Sequence, residues 1–383
     1  MCSRAPRRRD SRLKRSFQEI SPTNFPVFFA STEHLRFVVP RPAHRTSLRA
    51  MGFGQIAAST QFYLFGRKHC TATGYKKAAA QYGNGVDLQQ LSLTGKTFAV
   101  TGANSGVGFT LSQYLASRGA SLLMVCRSQA RGEAACKSII EETGNDKVSV
   151  IVADMSLKSD ARSCADEIAR RCPSGLDGLV CNAGVLLNAR EETSEGVEVT
   201  FATHLVFGVY MLTRLLLPTL RKAPDARVVF VSSGGMYNHN WPGAARAGST
   251  DGHPYDGNMA YVYAKRGQVL LAEQFSSKVP GIPFVSCHPG WTDTPAVEQA
   301  YGKSKKLLEP MRTPWQGTEG IAWLCACDRS KLQGGAFYLD RKPQVKHLAG
   351  AFFSEGSFTK NTPAEINEMM LTLQTMSGLE ALE

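Results

Sequence analysis

Short runs of strand-forming residues recur along the middle of the chain. They lie at residues 96–100, 121–126, 148–152, 178–181, 228–233 and 335–339. Runs of four to six such residues are typical of strands buried in a parallel sheet. Between the first two runs, apolar residues Leu111, Tyr114 and Leu115 recur at helical spacing, so a helix is predicted there.

A glycine-rich loop joins the first predicted strand to this helix. It reads Thr-Gly-Ala-Asn-Ser-Gly-Val-Gly from position 101 to 108. A loop of this kind binds a dinucleotide pyrophosphate when it lies between a strand and a helix, because the helix N-terminus offers free N–H groups and partial positive charge. We assign Gly102 to the tight turn, Gly106 to the backbone approach to the phosphates, and Gly108 to helix–strand packing. The predicted contacts of this loop with the cofactor are Gly102, Asn104, Ser105, Gly106, Val107 and Gly108.

The second predicted strand ends at Arg127. In dinucleotide folds an acidic residue about 20 residues past the glycines binds the ribose hydroxyl of NAD, whereas an arginine accommodates the 2′-phosphate of NADP. Arg127 therefore favours NADP over NAD as the cofactor. The alternative is an arginine that is merely solvated at the surface.

Tyr261 and Lys265 are four residues apart in a segment of good helix formers, so their side chains are neighbours on one helix face. A nearby ammonium favours the phenolate and lowers the pKa of a tyrosine, which can then exchange a proton with an alcohol or carbonyl oxygen. Ser233 ends a predicted buried strand and could hydrogen-bond the reacting oxygen, with Ser232 as the alternative. Tyr263 lies two residues away and faces elsewhere.

These motifs, in this order, resemble the short-chain dehydrogenase/reductase family over roughly residues 93–340. The string Cys-Arg-Ser at 126–128 resembles its retinol-dehydrogenase-type branch, and segments 231–236, 288–295 and 340–343 resemble a subgroup of uncharacterised reductases. The resemblance implies an α/β fold, a single doubly wound Rossmann domain with a seven-stranded parallel sheet. It also implies a catalytic set of Ser233, Tyr261 and Lys265, in which Tyr261 transfers the proton and Lys265 also holds the nicotinamide ribose.

Further cofactor contacts follow from the same resemblance. Asp154 would contact adenine, Asn182 with Ala183 and Gly184 would border the ribose, and the segment from Pro289 through Gly290 and Thr292 would hold the nicotinamide amide. Two positions depart from the family pattern. Cys181 replaces an asparagine, and the asparagine that normally supports a water relay to the lysine is replaced by His204 or Leu205, depending on the alignment.

The net charge of +12 is concentrated at one end of the chain. Residues 1–50 contain eleven Lys and Arg against three acidic residues. This Arg-rich, acid-poor composition is typical of a mitochondrial targeting peptide; the alternatives are a disordered basic tail and a folded protein that starts at Met51. Arginines 7–9 form too short a run, with no binding fold beside it, for a nucleic-acid partner.

Four segments are predicted: a basic disordered or targeting segment at 1–50, a helical extension at 51–92, the NAD(P)-binding domain at 93–345, and a tail with a short helix at 346–383. The helix within 51–92 either packs on the domain or makes peripheral contact with a membrane surface. No uninterrupted apolar run is long enough to span a bilayer. The ten cysteines show no metal-ligand spacing, so we expect no metal and an intracellular, reducing location, mitochondrial or cytoplasmic.

The predicted function is an NADP(H)-dependent oxidoreductase that transfers a hydride between nicotinamide and an alcohol, ketone or aldehyde, lipophilic ones included. The alternative is a non-catalytic NADP-binding protein with a sensing or scaffolding role. The sequence indicates neither the substrate, nor the direction of reaction, nor the oligomeric state.

Overall fold

The structure is a computed structural model that describes residues 27–28, 37–38, 53–83, 87–295, 297–298, 302–349 and 358–382. A two-residue ladder pairs β1 (Val27–Phe28) with β2 (Phe37–Val38). The remainder of the segment at 1–50, predicted to be disordered or to target the protein, lies outside the described residues.

The core of the fold is an eight-stranded sheet, in which seven neighbouring strands are parallel. Its strand order is β10-β9-β8-β7-β6-β3-β4-β5, so the order reverses beside β3, the strand before the glycine loop. A reversal of this kind opens a crevice at the carboxyl ends of the strands. The strands are β3 (Thr97–Thr101), β4 (Ser121–Cys126), β5 (Val148–Val152), β6 (Gly178–Cys181), β7 (Arg227–Val231), β8 (Phe284–His288), β9 (Phe337–Leu339) and β10 (Lys342–Gln344).

Helices cover both faces of this sheet, as expected for a doubly wound domain. One face carries α3 (Gly106–Ser117), α4 (Gln129–Thr143) and α9 (Pro314–Ala326). The other carries α5 (Lys158–Arg171), α6 (Val199–Leu220) and α8 (Gly257–Lys278), while the short α7 (Ala244–Ala247) lies in the connection before α8. Alternate residues of a strand point to opposite faces; accordingly Phe98 and Val100 pack in one core and Ala99 in the other.

The α6 helix is long and apolar enough to cross a membrane by length and composition, but 83% of its most apolar window is buried inside the fold. It packs between α5 and α8 as a core helix. Residues 202–211 within it form a π-helix rather than an α-helix.

Two helices precede the sheet, α1 (Phe53–His69) and α2 (Ala72–Ala79). Of the two roles predicted for this segment, the structure places α1 against the domain, where the rings of Phe62 and Tyr237 are stacked 6.0 Å apart. Trp291 approaches the same helix so closely that a Cβ on Gly66 would lie 2.2 Å from its ring.

The sequence analysis did not predict one strand of the C-terminal region. Strand β10 pairs antiparallel with β9 as an eighth, edge strand; its three residues include a lysine and a proline and are mostly exposed, so they lack the apolar signal of a buried strand. The short helix predicted in the tail is α10 (Pro363–Ser377), and its Met369 and Leu373 are buried in the core.

Candidate active site

All of the sequence-predicted site residues line one cavity of about 410 Å³. It lies along the carboxyl ends of β5, β4, β3, β6, β7 and β8, which are consecutive in the sheet. Six neighbouring strands span roughly 24 Å at about 4.8 Å per spacing, so the cavity suits an elongated ligand. The predicted residues around it are Gly102, Asn104, Ser105, Gly106, Val107, Gly108, Arg127, Asp154, Asn182, Ala183, Gly184, Ser233, Tyr261, Lys265, Pro289, Gly290 and Thr292.

The glycine loop has the conformation that its sequence demands. Gly102 adopts a φ of +64°, which disfavours other residues, and Gly108 packs so tightly that a Cβ would lie 2.2 Å from the carbonyl oxygen of Gly102. Helix α3 begins at Gly106 with no acidic residue in its first turn, and the side chain of its N-cap, Ser105, makes no capping hydrogen bond. Its positive end therefore faces the cavity free of neighbouring negative charge.

Asn182 holds this loop against the neighbouring strand. Its side-chain amide donates to the carbonyl oxygens of Thr101 at 2.9 Å and Gly102 at 3.3 Å. In return, the Thr101 hydroxyl accepts from the backbone N–H groups of Asn182 and Ala183. Cys181, one of the departures from the family pattern, points into the core, with its Sγ 3.9 Å from the hydroxyl of Thr213.

Arg127 and Asp154 lie at the other end of the cavity. One guanidinium nitrogen of Arg127 is 3.7 Å from a carboxylate oxygen of Asp154, and the arginine side chain is 59% exposed. The second carboxylate oxygen of Asp154 accepts from the backbone and hydroxyl of Ser156. Asp154 is thus fixed, whereas the exposed guanidinium is available to an anionic group.

Ser233 and Tyr261 meet in the middle of the cavity: the Ser233 hydroxyl oxygen and a ring carbon of Tyr261 each lie 3.7 Å from the place where a Cβ on Gly235 would stand. The Ser233 hydroxyl accepts from the backbone N–H of Gly235 at 3.2 Å, which fixes its position. Ser232, the alternative candidate, donates instead to the carbonyl oxygen of Lys265. The geometry therefore favours Ser233 as the serine that faces a substrate.

Lys265 is buried behind Tyr261, with its ammonium nitrogen 5.4 Å from the centre of the tyrosine ring. The ammonium donates to the carbonyl oxygen of Val231 at 2.8 Å, and burial lowers the pKa of Lys265 to about 7. Burial also raises the pKa of Tyr261, which the nearby Ser233 side chain offsets only in part. The effect of Lys265 on the pKa of Tyr261 stays a prediction, since burial has the largest influence on that pKa in this structure.

His204 is one of the two candidates for the position where the family pattern has asparagine. Its Nε2 lies 2.9 Å from the backbone nitrogen of Val185 and 2.8 Å from that residue's carbonyl oxygen. Its ring makes an edge contact with Tyr261 at 5.4 Å between centroids. Burial lowers the pKa of His204 well below its ordinary value, so it is neutral at physiological pH. Leu205, the other candidate for that position, is buried in the core.

The sequence analysis missed the apolar wall of the cavity. Phe62, from α1, contacts the backbone just after Ser233, since a Cβ on Gly234 would lie 2.4 Å from its ring. Leu308 and Met311, from the connection before α9, also line the cavity. The aromatic run at 62–65 was visible in the sequence, but only the tertiary packing of α1 brings Phe62 to the site.

The residues present fit a nicotinamide dinucleotide. In the glycine loop a Cβ on Gly102 or Gly108 would clash with backbone atoms. The cavity extends from this loop to Ser233 and Tyr261 on one side and to Arg127 on the other. A dinucleotide site at the reversal point of a doubly wound sheet, with a serine, a tyrosine and a lysine beside it, defines the class of NAD(P)-dependent oxidoreductases.

Comparisons with known proteins agree with this class. The family described as short chain dehydrogenase matches residues 96–305. Dehydrogenase/reductase SDR family member 12 of Homo sapiens is 35% identical over 325 residues, which cover 83% of this chain and 97% of that protein. Retinol dehydrogenase 11 of Homo sapiens is 30% identical over 224 residues, covering 57% of this chain and 67% of that protein.

A solved structure of an uncharacterised protein from Mycobacterium paratuberculosis has the same fold, with a TM-score of 0.56 and 24% identity, covering 78% of this chain and 99% of that one. The chain belongs to the short-chain dehydrogenase/reductase family. The resemblances to member 12 and to the retinol-dehydrogenase branch, expected from the segments quoted above, are confirmed.

Proposed function

We propose that this protein is an NADP(H)-dependent reductase or dehydrogenase of small lipophilic carbonyl compounds or alcohols, with Tyr261 as the group that transfers the proton. The observation that carries the proposal is the placement of Ser233 and Tyr261 side by side in the cavity that the glycine loop also lines. A protein that only bound the cofactor would have no need for a phenol directed at the space beside it.

The cofactor would be held by the loop from Gly102 to Gly108 at its pyrophosphate and by Lys265 at its nicotinamide ribose. When bound, it supplies or accepts the hydride. Preference for NADP over NAD rests on Arg127, whose guanidinium is exposed and lies 3.7 Å from its nearest carboxylate oxygen, that of Asp154. A 2′-phosphate would form a shorter, charge-assisted contact with the same group.

Tyr261 is in the form that donates a proton. Because burial raises its pKa, the phenol is protonated at neutral pH and can give its proton to a carbonyl oxygen as negative charge develops there. Ser233 would donate a second hydrogen bond to the same oxygen and so orient the carbonyl group. Lys265, linked to the backbone of Val231, would stabilise the phenolate that remains.

The preference for a lipophilic substrate rests on the wall of the cavity beside this pair. Phe62, Trp291, Leu308 and Met311 line it, and aromatic rings at this point favour an apolar substrate body. The retinol dehydrogenases among the relatives act on a lipophilic alcohol by name, which agrees with this choice. We also propose an intracellular location, since the nine described cysteines are all buried and free.

The test uses the full chain with NADPH and a panel of lipophilic aldehydes, retinoids and steroid ketones. Tyr261→Phe keeps the ring and removes the hydroxyl, so turnover should fall at least about 100-fold, while NADPH affinity is retained. Tyr263→Phe is the matched control: this tyrosine is buried on α8 but does not line the cavity.

Two outcomes would contradict the proposal. Full turnover in Tyr261→Phe would remove Tyr261 from the chemistry. Tight NADPH binding by the wild type with no turnover on any carbonyl would replace the proposal with the non-catalytic alternative.

A further inference from the structure

Gln268 lies one helical turn beyond Lys265 on α8 and is completely buried. A buried amide must satisfy both of its ends. Its oxygen accepts from the ammonium of Lys265 at 3.3 Å, and its nitrogen donates to the backbone carbonyl oxygen of His204 at 2.8 Å. The side chain therefore bridges the lysine of the site and the helix that packs behind it.

The helix at the far end of this bridge has an unusual geometry. His204 lies in the π-helical stretch at 202–211, and π-helical turns occur frequently at functional sites. The side chain of His204 contacts the backbone of Val185 at the cavity, while its carbonyl oxygen accepts from Gln268. His204 thus contacts the cavity wall through its ring and Gln268, the partner of Lys265, through its backbone carbonyl.

We propose that Gln268 is a positioning residue that fixes the ammonium of Lys265 behind Tyr261 and sets the pH range in which that lysine is charged. The role in catalysis rests on the proposed function above; the link between Gln268 and the charge of Lys265 does not. In the family pattern an asparagine supports a water relay to the lysine; here the side chain of Gln268 connects the lysine to the backbone of His204 directly.

Among the described residues, Gln268 is the side chain that accepts a hydrogen bond from Lys265 and so influences the charge of the lysine. The titratable groups around the lysine are Cys181 on β6, Cys287 on β8, His204 on α6 and Tyr261 on α8. Burial raises the pKa of both thiols and of the phenol, and lowers that of the histidine, so all four are neutral near pH 7. Among the described residues, the acceptors within hydrogen-bonding distance of the ammonium are the Val231 carbonyl and the Gln268 amide.

The test measures the charge of Lys265 directly, without substrate or cofactor. The protein is labelled with ¹³C at lysine Cε and titrated by NMR, and the Lys265→Met variant identifies the signal. Gln268→Met removes the acceptor at similar volume, and the midpoint of Lys265 should fall by about one pH unit. Gln268→Glu places a carboxylate at the same length, and the midpoint should rise by at least as much.

The second measurement is the pH dependence of turnover on a carbonyl that the wild type reduces. Its midpoint should move in the same direction as the lysine signal in each variant. Gln274→Met, six residues further along α8, is the control and should leave the midpoint and the pH profile unchanged, because the side chain of Gln274 takes no part in the network.

A merely structural role gives a different result. If Gln268→Met lowers the unfolding temperature but the Lys265 midpoint stays where it is in the wild type, the inference is wrong. Gln268→Glu, which keeps length and polarity, provides the same test should Gln268→Met fail to fold. Loss of turnover in Tyr261→Phe, together with unchanged titration in both Gln268 variants, would contradict this inference while leaving the proposed function intact.

Discussion

Arg312 connects the N-terminal helices to the loop beside the cavity, and its removal should destabilise both. The guanidinium is 1% exposed and makes a two-point ion pair with Asp340, at 2.5 and 3.1 Å. It also donates to the carbonyl oxygens of His69 at 2.8 Å and Cys70 at 3.0 Å, at the end of α1. Gly290 packs against the same group so tightly that a Cβ would lie 2.2 Å from it.

The loss of stability expected for Arg312→Met follows from the burial of the ion pair between Arg312 and Asp340. Arg312→Met keeps most of the aliphatic volume but leaves the Asp340 carboxylate buried without its partner. Removal of one member of a buried pair costs about 3–5 kcal/mol, most of it from the uncompensated charge. That is a large share of the roughly 5–15 kcal/mol by which native proteins are stable. Asp340 has a φ of +59°, so asparagine, which tolerates that conformation, is the appropriate neutral replacement.

The assay is urea unfolding of Arg312→Met, Asp340→Asn and the double variant. The double variant should be more stable than the sum of the single losses predicts, with a coupling of about 0.5–3 kcal/mol, because it contains no buried charge without a partner. Limited proteolysis should show earlier cleavage between α2 and β3 in Arg312→Met. The claim that this pair holds the N-terminal helices to the domain would be refuted if Arg312→Met lost less than about 1 kcal/mol of unfolding free energy. It would also be refuted if the losses of the two single variants added strictly in the double variant.

Three further predictions concern the cavity. Arg127→Ala should weaken NADPH binding about tenfold, at the lower end for a hydrogen bond to a charged group because the arginine side chain is 59% exposed. A fluorescence titration should show unchanged NADH binding, and equal effects on both cofactors would contradict the NADP assignment. Phe62→Ala should raise KM for a bulky lipophilic carbonyl about tenfold with little change in kcat. Leu64 is exposed on the same helix, so Leu64→Ala should change neither constant. A lower kcat without a change in KM would count against a substrate-binding role for Phe62. Burial lowers the pKa of His288 from 6.5 to about 3. Between pH 6.5 and about 3 the unfolded chain therefore binds a proton at His288 that the folded chain does not, and the folded state loses stability as the pH decreases through this range. His288→Gln should reduce that slope by up to about 1.4 kcal/mol per pH unit in urea unfolding, while the exposed His253→Gln should not; equal slopes in His288→Gln and the wild type would contradict the assignment.

The sequence by itself was sufficient for the class of fold and for many of the residues that line the cavity, but not for its apolar wall. The glycine loop, the strand-ending Arg127 and the tyrosine–lysine spacing are local signals, because each depends on a turn, a strand end or one helix face. The carboxyl ends of parallel strands meet at one edge, so residues that follow separate strands come together without any knowledge of their packing. All of the predicted site residues do line a single cavity.

Tertiary packing decided the protonation of the site residues and the apolar wall of the cavity, because burial and long-range contacts leave no local pattern in the sequence. The sequence places Lys265 beside Tyr261, but burial, which raises the pKa of Tyr261 and lowers the pKa of Lys265 to about 7, depends on the packing around them. The sequence analysis left the missing asparagine unresolved, since no spacing rule reveals that His204 lies in a π-helical turn whose carbonyl oxygen accepts from Gln268. Phe62 enters the cavity only because α1 folds back onto the domain; that placement depends on contacts between segments more than 150 residues apart in the chain.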